Sequence, residues 1–158
     1  MTRWRENRTQ GWWYSVGEDE KLKAKNYLWQ YKRLENELKT IAEEIVALEE
    51  QKDSITVKMD GMPHGSGISD KTANLAIKTA DMLMESIEVR TRATEKRREI
   101  VEHIMGLHDR YQSRILYLHF IQGETIEAIA EDINKSLRHT HRLYAAALEK
   151  IGAELENF

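Results

Sequence analysis

The side chains best suited to a chemical role form a cationic run near the carboxyl end of the chain. From position 135 to 142 the sequence reads KSLRHTHR and contains no acidic residue. Arginine donates paired hydrogen bonds to the edge of a guanine, while lysine and hydroxyl side chains donate to phosphate oxygens. This run therefore predicts contacts with double-stranded DNA. We expect base-edge contacts from Arg138, His139 and Arg142, and phosphate contacts from Lys135, Ser136 and His141.

The spacing of the other polar residues does not fit a catalytic or metal-binding site. His103 and His108 are five residues apart, and His139 and His141 are two apart, so neither pair shares one helical face. There is no HExxH run and no cysteine, so the usual zinc-ligand patterns are absent from the sequence. No nucleophile elbow and no dinucleotide fingerprint is present. We expect no enzymatic activity and no cofactor.

Two short helical patterns with a tight break between them position the cationic run. The first pattern has apolar residues three and four apart, at Ile126, Ile129, Ala130 and Ile133. Asn134 tolerates the left-handed conformation that ends a helix, and Ser136 is a favoured residue for capping the next one. The second helix is predicted to bury Thr140, Leu143, Ala147, Leu148 and Ile151. The pattern is typical of a helix-turn-helix, although an ordinary helical corner would have the same periodicity.

This segment resembles region four of sigma-70-type factors. The resemblance rests on the initiating threonine, an Ile-Ala pair, the serine that opens the second helix, and an Ala-Leu pair followed by an aliphatic residue. In this chain those positions are Thr125, Ile129–Ala130, Ser136, Ala147–Leu148 and Ile151. The chain departs at Asn134 and Lys135, where region four has glycine and an aliphatic residue, and at Thr140, where it has an aliphatic residue. The resemblance implies a helix-turn-helix domain and does not imply a particular promoter sequence.

Two long helices precede this domain. In the first, residues 18–57, apolar residues alternate in steps of four and three, at Tyr27, Tyr31, Leu34, Leu38, Ile41, Ile45, Leu48 and Ile55. This is the repeat of a coiled coil, and such a helix needs a partner to bury its seam. The second, residues 70–105, is predicted to turn inward Ala73, Ala76, Ile77, Ala80, Leu83, Ile87, Thr94, Val101 and Ile104. Their similar lengths predict an antiparallel hairpin.

A glycine-rich loop connects the two long helices at residues 58–69. Its sequence, with the start of the second helix, resembles a motif of phage late-gene transcription regulators of the ArpU/RinA type. The matching positions are Asp60, Gly61, Met62, Pro63, Gly65, Ser66, Gly67, Ser69, Asp70, Thr72 and Ala73, while His64 and Lys71 depart from it. Together with the helix-turn-helix, the resemblance covers about residues 57–151. It implies a transcription regulator of phages that infect low-GC Gram-positive bacteria, and no catalytic role.

Composition limits how this chain can bind DNA. The net charge is −3, so binding must come from a local surface such as residues 135–142. That surface holds few cations, and affinity for DNA grows with each phosphate contact. We therefore expect a homo-oligomer formed through the helical hairpin, or help from a partner such as host RNA polymerase. The absence of cysteine, of a long apolar run and of an apolar leader predicts a cytoplasmic protein without a membrane span.

The sequence thus predicts an all-α fold, with a long antiparallel, coiled-coil-like helical hairpin followed by a small helix-turn-helix domain. We expect a flexible arm at residues 1–17, the hairpin at 18–105 and the sigma-70 region-four-like domain at 106–158. In that domain, a helix at residues 107–122 should complete a three-helix core, and residues 152–158 should fray. The residues of this helix that are predicted to lie inward are Leu107, Tyr111, Ile115, Leu118 and Ile121 or Phe120. The predicted function is sequence-specific DNA binding in transcription regulation. The alternatives are a packaging protein of the small-terminase type and a region-four-like protein that binds RNA polymerase instead of DNA.

Overall fold

The computed structural model describes residues 4–6, 13–57 and 67–156, with side chains from 17 to 54 and from 71 to 156. Almost all of these residues are helical, which confirms the predicted all-α class. Two three-residue strands precede the helices: β1 (Trp4–Glu6) pairs antiparallel with β2 (Trp13–Ser15). The sequence pattern predicts no regular structure for this arm, because three-residue strands are too short to show a periodicity.

The helices follow one another along the chain with short connections. They are α1 (Val16–Val57), α2 (Gly67–Gly106), α3 (Arg110–Leu116), a π-helical turn (Tyr117–Gln122), α4 (Ile126–Asp132) and α5 (Leu137–Leu155). Helix α2 begins at Gly67, three residues before the predicted start at residue 70. Residues 58–66, which carry most of the ArpU/RinA-like motif, lie outside the described residues.

Residues 33–94 form one compact unit, in which α1 and α2 pack against each other. Its buried core consists of Ile41, Leu48, Met82 and Val89, flanked by Leu34, Leu38, Ile45 and Leu75. The predicted seam of α1 is therefore confirmed over this range. Arg92 Nη2 lies 3.5 Å from Glu37 Oε1, an exposed ion pair that contributes little to stability.

The predicted inner face of α2 is wrong in this unit. The residues turned inward are Leu75, Thr79, Met82, Ser86, Val89 and Ala93, whereas Ile77, Leu83 and Ile87 are exposed by 60%, 48% and 65%. Helix α2 carries two apolar stripes, each repeating every three and four residues. Only the stripe through Met82 and Val89 continues to Ala93 without meeting an arginine, whereas the predicted stripe meets Arg90. Burying a charged arginine without a partner is costly, which disfavours the predicted stripe.

The other compact unit comprises residues up to 32 and residues from 95 onward. Its main core contains Ala24, Tyr27, Leu28, Ile100, Ile104, Leu107, Leu116, Phe120, Ile121, Ala147, Leu148 and Ile151. Side chains from the start of α1, the end of α2 and the segments from 107 to 151 therefore share one core. The two compact units therefore do not coincide with the predicted domains at residues 18–105 and 106–158. That division into domains stays a prediction.

An aromatic cluster fixes α5 against the start of α1 within this unit. The rings of Trp29 and Phe120 meet edge-to-face with centroids 5.2 Å apart, and Phe120 stacks on Tyr144 at 6.2 Å. Burial raises the pKa of Tyr144 to about 12, because the surroundings disfavour the charged phenolate. Through Tyr144, these contacts fix the position of α5 directly after the cationic run at residues 135–142.

The predicted fraying of residues 152–158 is wrong for residues 152–155. Helix α5 continues to Leu155, and Gly152 is buried against the backbone of Glu20 on α1. Lys23 adds an ion pair to Glu156 at 2.6 Å, next to its pair with Asp19. A glycine near a helix end usually indicates that the helix stops there. Here glycine instead allows the backbones of α1 and α5 to lie close together, because it has no side chain.

Candidate nucleic-acid interface

Three helices form a small core behind the candidate interface. Ile115, Leu118, Ile129 and Ile133 are buried together, with Tyr117, Ile126, Leu143 and Tyr144 packed at the side. These residues come from α3, the π-helical turn, α4 and α5, so each helix contributes to the same core. Gly123 ends the π-helical turn in the left-handed conformation, with φ of 79°, which glycine adopts without steric cost. The core gives α5 a fixed support.

The connection from α4 to α5 has the predicted local geometry. The Thr125 side chain accepts a hydrogen bond from Ala128 N and begins α4. Asn134 is left-handed, with φ of 53°, and the next amide, Lys135 N, donates to Ala130 O at 3.0 Å. Ser136 Oγ then accepts from His139 N at 3.3 Å and begins α5. The predicted helix, turn and capped helix are confirmed.

The candidate base-contacting residues lie on the first two turns of α5. Arg138 and Arg142 are exposed, and His139 is half-buried. Arg142 Nη2 lies 2.9 Å from His139 Nδ1. Because arginine can only donate, Nδ1 is the acceptor in this contact. Nε2 is then the ring nitrogen that can donate a hydrogen bond beside the guanidinium.

The candidate phosphate-contacting residues lie around the start of the same helix. Lys135, Ser136 and His141 are all exposed. Ser136 uses its oxygen to cap α5, which leaves its hydroxyl hydrogen free to donate to another acceptor. Lys135 Nζ lies 5.1 Å from the centroid of the Tyr111 ring, within the range of a cation–π contact. The structure thus brings all six predicted residues to one end of α5 and the turn before it.

Tyr111 is a neighbour of this surface that sequence reasoning missed. The pattern places it inward on a helix starting at Leu107, but the helix starts at Arg110 and Tyr111 is 44% exposed. The Asp109 side chain caps α3 by accepting from Tyr111 N at 2.8 Å. The signal in the sequence was Asp109, a favoured capping residue. A helix that begins after Asp109 leaves out Leu107, so the four-residue repeat from Leu107 to Tyr111 no longer applies.

Acidic residues on α4 limit the size of the cationic surface. Glu127 and Glu131 are exposed, and Asp132 pairs with Arg114, whose Nε donates to Asp132 Oδ2 at 2.8 Å. The positive charge is therefore concentrated on the turn and on the start of α5. A single copy has only three cations there, Lys135, Arg138 and Arg142. Affinity from phosphate contacts alone would be low for one copy.

Comparison of the chain with protein-family models, with curated proteins and with solved structures finds no match. Within residues 17–54 and 71–156, no group of three or more histidines and carboxylates is arranged to hold a metal ion. None of the helices in the described ranges has the length and apolar character required to cross a membrane.

Proposed function

We propose that this protein binds double-stranded DNA in a sequence-specific manner and regulates transcription. The observation that carries the proposal is the exposed start of α5, where cations and hydrogen-bond donors follow a well-formed turn on a three-helix core. A helix of this kind fits the width of the major groove. The resemblance to ArpU/RinA-type regulators extends the proposal to the late genes of a phage, in the cytoplasm of a bacterial host.

In the proposed mechanism, α5 enters the major groove with its amino-terminal half against the bases. Arg138 and Arg142 donate to guanine edges, and His139 donates from Nε2 to an adjacent acceptor. Lys135, Ser136 and His141 contact phosphates on either side and set the position of the helix. The contact between Arg142 and His139 at 2.9 Å orders both side chains before DNA arrives, which lowers the entropic cost of binding.

This proposal predicts DNA binding that weakens with salt to a limited extent. Each copy has three cations on the turn before α5 and on the first two turns of that helix. A plot of the logarithm of the DNA association constant against the logarithm of the salt concentration should therefore have a slope no steeper than about −3 per bound copy. Fluorescence anisotropy with labelled duplexes at several salt concentrations measures this slope. If no duplex binds even at low salt, while purified bacterial RNA polymerase is captured, the protein acts on the polymerase and the DNA-binding proposal is wrong.

We also propose that the protein works as a homo-oligomer formed through the helical hairpin. The exposed stripe of α2 comprises Ala73, Ala76, Ile77, Ala80, Leu83, Met84 and Ile87. It extends over about 20 Å of helix, and its three-and-four spacing is that of a coiled-coil seam. An apolar stripe of this kind is a common site of protein association. A second copy would also double the small number of phosphate contacts.

Introducing charge into the exposed stripe should dissociate the oligomer. We expect wild-type protein to sediment as an oligomer and the Ile77→Glu/Ile87→Glu variant as a monomer with unchanged helical content, because both side chains are already exposed. Leu22→Glu is the matched control, since Leu22 is an apolar residue of α1 that is 58% exposed in the other unit. Analytical ultracentrifugation measures the mass of each sedimenting species. A monomeric wild-type protein would exclude this assembly.

A further inference from the structure

Tyr111 is exposed at the beginning of α3, beside the candidate phosphate contact Lys135. The lysine Nζ lies 5.1 Å from the ring centroid, and 44% of Tyr111 is accessible although the next two residues, Gln112 and Ser113, are buried. An aromatic ring attracts an ammonium group through the negative face of its π-system. A long lysine side chain without such a contact samples many rotamers. The ring therefore restricts where the Lys135 charge is held.

The backbones on both sides of this contact are firmly held. Tyr111 N donates to the capping carboxylate of Asp109 at 2.8 Å, and the buried Ser113 Oγ donates to Leu107 O at 3.2 Å. Lys135 N donates to Ala130 O at 3.0 Å directly after the left-handed Asn134. The cation–π contact thus joins two rigid segments of the three-helix core. It places the ammonium at the entrance to α5.

The charges around this pair favour an anionic ligand. Arg110, the residue before Tyr111 in the chain, is exposed on α3, and Arg138 is exposed in the first turn of α5. Asp132, the last residue of α4, is neutralised by Arg114 at 2.7 Å. Asp109 has its carboxylate engaged by two backbone amides of α3, which reduces its effect on a nearby phosphate. Glu131 on α4 is the remaining exposed acid of that helix near the turn.

We infer that Tyr111 is a positioning residue for DNA binding, whose ring holds the Lys135 ammonium where a phosphate oxygen meets the start of α5. The inference rests on the proposed function and adds a residue from α3 to an interface otherwise built from α5 and its turn. The ring acts through Lys135 and needs no contact with DNA of its own. Phenylalanine provides an equivalent ring face, whereas leucine provides none.

A double-mutant cycle on duplex DNA tests this role. We expect Tyr111→Leu to weaken binding about two- to fivefold, because the lysine side chain must then be immobilised when DNA binds. Tyr111→Phe should bind like the wild type. In a Lys135→Ala background, Tyr111→Leu should cause no further loss, because the ring then has no ammonium to hold. Thermal unfolding of each variant checks that the exposed position tolerates the change.

The outcomes separate this inference from the function on which it rests. An equal loss caused by Tyr111→Leu with and without Lys135 would show that Tyr111 acts independently of the lysine, and would overturn the positioning role. Loss of binding in Tyr111→Phe comparable with that in Tyr111→Leu would overturn it as well. Failure of the wild-type protein to bind any duplex would overturn the proposed function, and the positioning role with it.

Discussion

Gly152→Ala should destabilise the protein by about 3 kcal/mol or more, the upper range for an added methyl group in a packed core. A Cβ at this position would lie 2.2 Å from the Glu20 carbonyl oxygen and 2.8 Å from the Glu20 Cα. Both are backbone atoms, so no rotamer change can relieve the clash. Alanine favours a helix over glycine by about 1 kcal/mol, which is too small to offset the clash. The start of α1 would have to move away from α5.

Gly106→Ala is the matched control for this substitution. Gly106 is the last residue of α2, and a Cβ there would meet no atom within 4 Å. We expect its stability to stay within about 1 kcal/mol of the wild type. Urea unfolding followed by circular dichroism compares the two variants. If Gly152→Ala unfolds at the wild-type urea concentration, α1 and α5 do not pack as closely as described.

Arg138→Ala/Arg142→Ala should lower affinity for a specific DNA site about 100-fold or more. Each bidentate contact between arginine and guanine contributes about 1–3 kcal/mol of discrimination, and two such contacts are lost. Removing Arg142 also removes the hydrogen bond that orients His139. Both arginines are exposed, so the fold should be unaffected. Competition between the specific duplex and a scrambled one measures how far the ratio of the two affinities falls in this variant.

Arg33→Ala/Arg98→Ala removes the same charge at two exposed positions that belong to α1 and α2 and not to α5. This control should keep nearly all specific binding, because only the overall field of the protein changes. Comparable losses in the two double variants would indicate that binding depends on net charge alone. Wild-type specificity in Arg138→Ala/Arg142→Ala would show that α5 does not contact the bases.

The local geometry of the candidate site could be predicted from the sequence because it depends on residues close together in the chain. Thr125 and Ser136 cap their helices with their own side chains, and Asn134 adopts the left-handed conformation that its short polar side chain tolerates. Such preferences act over three or four residues. The apolar residues of α4 and α5 then follow from helical periodicity once the helix starts are known.

Features that depend on packing between distant segments could not be predicted in this way. Helix α2 has two stripes that repeat every three and four residues, and the more apolar one is not the one packed against α1. Gly152 serves as a contact point only because Glu20 lies against it, 132 positions earlier in the chain. Tyr111 is exposed in the first turn of a helix that starts three residues later than the apolar pattern suggests. Each of these features requires knowledge of the neighbouring element.

Selection of bound fragments by the full-length protein from a pool of phage and bacterial genomic DNA tests the central claim most directly. If the start of α5 binds specific bases, the enriched fragments should share a short consensus, repeated at a fixed spacing if two copies bind together. The same selection with Arg138→Ala/Arg142→Ala should lose that consensus. Fragments enriched by the wild-type protein without any shared sequence, or no enrichment at all, would contradict sequence-specific DNA binding by this protein.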